Sequence, residues 1–114
     1  MTYKALREKT KDIFQWGVVA EDVYDKKKNI WRKDWPVYGA FYRGWYCGYW
    51  YQNVFCVFEM LDGTDEEVWF DSDDMRECTK VKEVMDAIPT LNENAKLAEQ
   101  FLKEVAIKQD FEDD

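Results

Sequence analysis

The sequence predicts an α+β protein. An antiparallel β-meander of about three to five strands occupies residues 17–72, with one N-terminal helix and two C-terminal helices. Three observations predict it. Residues 37–72 are dense in aromatic and β-branched side chains and are punctuated by turn residues. The apolar positions of 3–14 and 75–108 recur at helical spacing. At 114 residues the chain suffices for one core and is short for two ordinary domains, so a single domain over 1–114 is expected.

Taken in order, 3-YKALREKTKDIF-14 places Tyr3, Leu6, Thr10 and Ile13 on one face of a short helix. Residues 17–35 read in two ways. They form two short strands around a turn at 25-DKKKN-29, with Ile30, Trp31 and Trp35 inward, or a longer irregular connection. Pro36 lacks a donor and belongs at a strand start or edge. Strands follow at 37–43, 45–51 and 54–60, separated by Gly44 and by Gln52-Asn53. Asp62-Gly63 is a tight-hairpin signal, and 66-EEVWFDS-72 is the last strand. Residues 75–88 place Cys78, Val81, Met85 and Ile88 on a helical face that ends at Pro89. Thr90 and Glu93 then form a capping box for a helix to about residue 108, with Leu91, Ala95, Ala98, Phe101, Leu102 and Val105 on its apolar stripe. The acidic tail 110–114 is expected to fray.

The segment 44-GWYCGYWYQNVFCVF-58 is aromatic on both faces of two successive strands. The 54–60 strand is therefore expected to be central. Helices cover one face. On one reading the 17–35 connection, with Trp16, Trp31 and Trp35, covers the other. On the alternative reading that face is open. Trp45, Tyr46 and Trp50 would then stack a ligand or single-stranded nucleic acid, flanked by Lys26, Lys27, Lys28, Arg32, Lys33 and Arg43.

The chain contains no histidine, which removes Ser-His and Cys-His dyads and imidazole metal ligands. Its three cysteines, Cys47, Cys56 and Cys78, include no C-x-x-C pair. Asp71 and Asp73 match the start of a calcium loop, but Met75 and Arg76 stand where an oxygen ligand and a glycine are needed. No glycine-rich phosphate loop, signal-type leader or long apolar span is present. The expectation is a cytoplasmic, non-enzymatic protein without cofactor or metal.

Charge is the most informative feature. Residues 1–57 hold ten Lys/Arg against six Asp/Glu, a net of +4; residues 58–114 hold six against eighteen, a net of −12. The densest stretch is 59-EMLDGTDEEVWFDSDDMRE-77, with nine carboxylates and one arginine. Within an extended strand over 65–73, Asp65, Glu67, Asp71 and Asp73 share a face at a pitch of about 6.6 Å, with Trp69 between them. The six carboxylates from 65 to 74 give about one negative charge per 5 Å, of the same order as one per about 3.4 Å along a DNA strand. In size, charge and lack of catalytic residues, the chain resembles the small acidic DNA-mimic proteins of bacteria and phages, the likeness resting on 59–77 and the tail. The resemblance implies an inhibitor or regulator that binds the DNA-contacting surface of a basic protein, without binding nucleic acid or membrane itself. Asp62, Asp65, Glu66, Glu67, Trp69, Asp71, Asp73, Asp74 and Glu77 would form the contact.

Overall fold

The computed structural model describes residues 1–112. Helix α1 (Tyr3–Thr10) is capped by Thr2, whose hydroxyl accepts from the Ala5 N–H at 3.2 Å. It buries Leu6 and Thr10. Strands β1 (Phe14–Asp25) and β2 (Ile30–Tyr42) form a long hairpin, so 17–35 is two strands, longer than expected. Ile30, Trp31 and Trp35 do not pack inward: all three are exposed, because this half of the hairpin extends beyond the core. Strand β3 (Trp45–Tyr51) follows a two-residue turn in which Arg43 and Gly44 have φ of 51° and 86°. Strand β4 (Val54–Phe58) follows another, with Gln52 and Asn53 at 47° and 67°. Two successive positive φ values are the signature of the type I′ turn, whose twist matches that of the flanking strands.

Beyond β4 the chain departs from a simple meander. Strands β5 (Leu61–Gly63) and β6 (Val68–Phe70) pair with each other as a separate small hairpin. Strand β7 (Met75–Cys78) then returns to the free edge of β4, giving an antiparallel five-stranded sheet of order β1-β2-β3-β4-β7. Helix α2 (Val81–Glu112) completes the chain. The fold is thus α+β, and β4 is interior to the sheet as its two apolar faces predict.

The register sorts side chains between two faces. Phe14, Trp16, Tyr38, Ala40, Tyr42, Trp50, Phe55 and Cys78 are linked by cross-strand pairing and share the helix-covered face. There Tyr3 of α1 stacks on Tyr38 at 3.7 Å between ring centroids, and the Tyr42 hydroxyl donates to Asn92 Oδ1 at 2.9 Å. Val84, Ala87, Leu91, Ala95 and Ala98 form the buried stripe of α2. The opposite face carries Glu21, Tyr46, Tyr49, Cys56 and Glu77 and meets no helix.

Four expectations are corrected. Helix α2 is continuous through Pro89, so there is one C-terminal helix, not two, and Thr90 and Glu93 lie inside it. Pro89 is exposed, while the buried stripe stays in phase on both sides of it. Burying a side chain such as Val84 or Leu91 contributes about 1.5–3 kcal/mol. Several of these outweigh the roughly 3 kcal/mol proline penalty. Pro89→Ala is therefore expected to stabilise the protein, by up to about 3 kcal/mol in urea denaturation; no gain would mean that the helix is already broken there.

Residues 75–78 are a strand because the unpaired edge of β4 requires partners for its backbone groups. Asp62-Gly63 lies within β5. The reversal is at 64–67, where the Thr64 hydroxyl accepts from the N–H groups of Glu66 and Glu67 at 3.3 and 3.1 Å. The strand expected at 66–72 is confined to 68–70. Helix α2 extends into the acidic tail as far as Glu112, and Asp113 and Asp114 lie outside the described residues.

Candidate functional site: an acidic hairpin and a roofed groove

The small β5–β6 hairpin is anchored from one side. Phe70 is buried and lies 6.1 Å from the Trp45 ring. Trp69 points the other way, opposite Asp62 in the register, and is 39% exposed. Turn formation separates the carboxylates. Asp65, Glu66 and Glu67 sit on the 64–67 turn. Asp71, Asp73 and Asp74 sit on the turn before β7, where Asp71 Oδ1 accepts from the Asp73 N–H at 2.9 Å. The single line of charge expected along an extended strand is therefore two clusters at either end of β6, whose three residues span about 10 Å.

Ion pairing divides the segment further. Glu59 is bound by Arg76 at 2.8 Å and Glu77 approaches Lys26 at 4.0 Å. The other seven, Asp62, Asp65, Glu66, Glu67, Asp71, Asp73 and Asp74, make no ion pair among the described residues. Glu77 belongs to the helix-free face of the sheet and not to the hairpin.

The second feature was not singled out in the sequence. Tyr38 pairs with Trp50 near the end of β3, so the outer half of the β1–β2 hairpin overhangs the sheet. A bulge between Glu21 and Val23 bends it. Opposite the bulge Asp34 takes φ 50°, and its N–H donates to Asp22 Oδ1 at 3.0 Å. The tip then docks on the β3–β4 turn. The Gln52 amide donates to Asp25 Oδ1 at 2.8 Å and accepts from the Lys26 N–H at 3.0 Å.

Asp25 is the centre of this clasp. It is 5% exposed and also receives the N–H groups of Lys27 and Lys28, at 2.9 and 3.1 Å, and Arg32 Nε at 3.0 Å. The Gln52 hydrogen bond, followed by those from Arg32 and the two backbone amides, holds its carboxyl far below the usual range despite burial pushing the other way. Arg32 also lies over the Trp35 ring at 4.2 Å.

Under the overhang lies a cavity of about 150 Å³, walled by Tyr24, Trp31, Tyr49, Tyr51, Val54 and Cys56, with Lys26 and Glu77 at its rim. It shares Asp22, Tyr49 and Met75 with a second cavity of about 290 Å³ that is walled by Glu21, Asp34, Ser72 and Asp73. Burial raises the Tyr46 and Tyr49 hydroxyls well above the ordinary phenol range. For Tyr46, its 2.6 Å bond to Glu21 adds to this. Burial pushes the Cys47 and Cys56 thiols up to about 12 and about 11, and Cys78 up as well, so all three stay protonated at neutral pH. The three are free.

The residues of the open-face reading are not brought together. Trp50 lies on the helix side, where its Nε1 donates to the Met1 carbonyl, and Trp45 packs on Phe70. Trp16 is on that side too, donating to Thr10 Oγ1, and cannot help cover the other face. Arg43 binds Glu99 at 2.9 Å at the far end of β2 from Lys26, Lys27 and Lys28, and Arg32 is held by Asp25. The face is roofed instead by the hairpin tip. Among the described residues no helix is long and apolar enough to cross a membrane, and no group of three or more Cys, Asp or Glu is placed to hold a metal ion. Compared with known families, curated proteins and solved structures, the chain matches none.

Proposed function

We propose that this is a non-enzymatic binding protein that docks through its β5–β6 hairpin on a basic surface, of the kind that DNA-binding proteins present to phosphates. The observation that carries the reading is the set of seven carboxylates that make no ion pair among the described residues, around a half-exposed tryptophan, on a small hairpin set apart from the main sheet and on the turn that follows it. Like charges held this close repel one another, which disfavours folding and favours a cationic partner. Trp69 supplies an aromatic anchor at the centre of a polar rim. The acidic clusters at either end of β6 would take the place of phosphates in a DNA-contacting cleft.

The test is retention of DNA-binding proteins from nuclease-treated bacterial lysate, with displacement by duplex DNA. In Asp65→Lys/Glu67→Lys/Asp74→Lys, retention is expected to fall roughly 10–100-fold while thermal melting stays within a few degrees, since these side chains are exposed. Undiminished retention by the triple variant, or no basic protein retained by the native chain, would overturn the proposal.

A further inference from the structure

We infer that the roofed groove binds a small organic amine, its ammonium group among the carboxylates and its apolar body against Tyr24, Trp31 and Tyr51. This does not depend on the hairpin's function.

Four observations converge. The first is shape: the cavity is a half-open cleft between two parts of the fold, the overhanging hairpin and the helix-free sheet face, held in place by the Asp25–Gln52 clasp. The second is charge. Glu21, Asp22, Asp34, Asp73 and Glu77 line the two adjoining cavities against one cation, Lys26; Arg32 and Lys33 line a separate hollow on the other side of Asp22 and Trp31. An anion is repelled, and a neutral molecule leaves that field unanswered. The third is the Tyr49 hydroxyl, at the junction of the two cavities on a residue 5% exposed. It donates to the Met75 sulfur at 3.6 Å and neighbours the Cys56 thiol, with no oxygen or nitrogen partner among the described residues. A thioether is a weak acceptor, and the hydroxyl oxygen retains lone pairs for an ammonium donor. The fourth is Trp31, 75% exposed, whose one ring neighbour is Tyr24 in an edge arrangement at 5.4 Å. An indole held open at the mouth of an acidic cavity is the aromatic partner that cations prefer.

Lys26 now occupies the position of the ligand's competitor. Its ammonium stands 4.0 Å from Glu77 and both side chains are more than half exposed, so the contact is weak and easily exchanged. The ligand's ammonium displaces it from Glu77, and removing Lys26 should tighten binding.

The probe is phenethylamine, titrated into the full chain and followed by calorimetry and amide chemical shifts. Its neutral and anionic counterparts, 2-phenylethanol and 3-phenylpropionate, are the controls. Saturable one-to-one binding is expected, with shifts at Asp22, Trp31 and Glu77, the alcohol at least roughly tenfold weaker and the acid silent. Trp31→Ala and Glu77→Gln should each weaken binding roughly 3–30-fold. Both positions are exposed, so neither threatens the fold. Lys26→Gln should tighten it roughly 2–5-fold. The inference is overturned by absence of saturable shifts, by equal binding of the alcohol, or by weaker binding in Lys26→Gln. Shifts confined to residues 62–74 would show counterion attraction to the hairpin, and binding of a lysine tripeptide without the small amine would assign the groove to a protein partner; either also overturns it.

Discussion

Gly48→Ala should lower stability by about 3 kcal/mol or more. A Cβ at Gly48 would lie 2.5 Å from the Cys56 carbonyl oxygen and 2.8 Å from Phe55 Cζ. The first is backbone of the adjacent strand. The second belongs to a ring with no exposed surface, stacked on Phe14 at 5.8 Å. Neither can yield as a flexible side chain would. Relief requires β3 and β4 to separate where Gly48 faces Val57, loosening the ladder in the middle of the sheet. Overpacking a core typically costs about 1–3 kcal/mol with room for adjustment, and here the obstacle is a strand. Against a total of roughly 5–15 kcal/mol, the variant should show a much lower urea midpoint or fail to fold. Gly17→Ala is the matched control: its added Cβ would meet nothing nearer than Phe41 Cε2 at 3.9 Å. Equal midpoints for the two variants would refute the packing described around Gly48.

The central strands were legible in the sequence because their signals are local. Gly44 and Gln52-Asn53 mark turns of defined length, and the run between them alternates in a way only a doubly covered strand tolerates. The continuity of α2 was less legible. Pro89 is the strongest helix-breaking signal available, and only the phase of Val84, Ala87, Leu91, Ala95 and Ala98 across it shows that one buried stripe overrides it. Residues 75–78 were missed for the opposite reason. Met-Arg-Glu-Cys has no β-pattern of its own, and its strand exists because β4 offers an unpaired edge.

The acidic segment could be read as charge but not as shape, since turns at 64–67 and 71–74 depend on backbone hydrogen bonds accepted by the Thr64 and Asp71 side chains, which periodicity does not report. The groove was invisible for a further reason. Its roof is held by Asp25 and Gln52, 27 residues apart. The available hint was Gln52 beside Asn53 in a tight turn, where a residue less suited to positive φ than glycine or asparagine needs a reason to be there.

That reason can be tested. Asp25→Asn should lower the melting temperature by roughly 5–10 °C and open the roof without dissolving the sheet. The asparagine keeps one acceptor of similar shape but loses the charge that four donors now share. Arg32 would be left without its ion partner. Hydrogen exchange should therefore quicken for amides 22–34, while those of β3 and β4 keep most of their protection. The pH dependence separates charge from shape. The folded carboxyl titrates far below the ordinary value of about 3.9, so its contribution is fully present above that value. It is lost as pH falls through the unfolded value towards the folded one. The stability difference between the native chain and Asp25→Asn should hold steady from about pH 8 to about pH 5 and shrink below about pH 4. A difference independent of pH would mean that the side chain acts by shape alone. A difference confined to the acid range would reverse the sign of the linkage and remove the clasp as the element that holds the hairpin over the groove. If the clasp is as described, Asp25→Asn should also weaken amine binding although Asp25 itself does not line the cavity, because Asp22, Val23, Tyr24, Lys26 and Trp31 of its wall are supplied by the roof that it holds down.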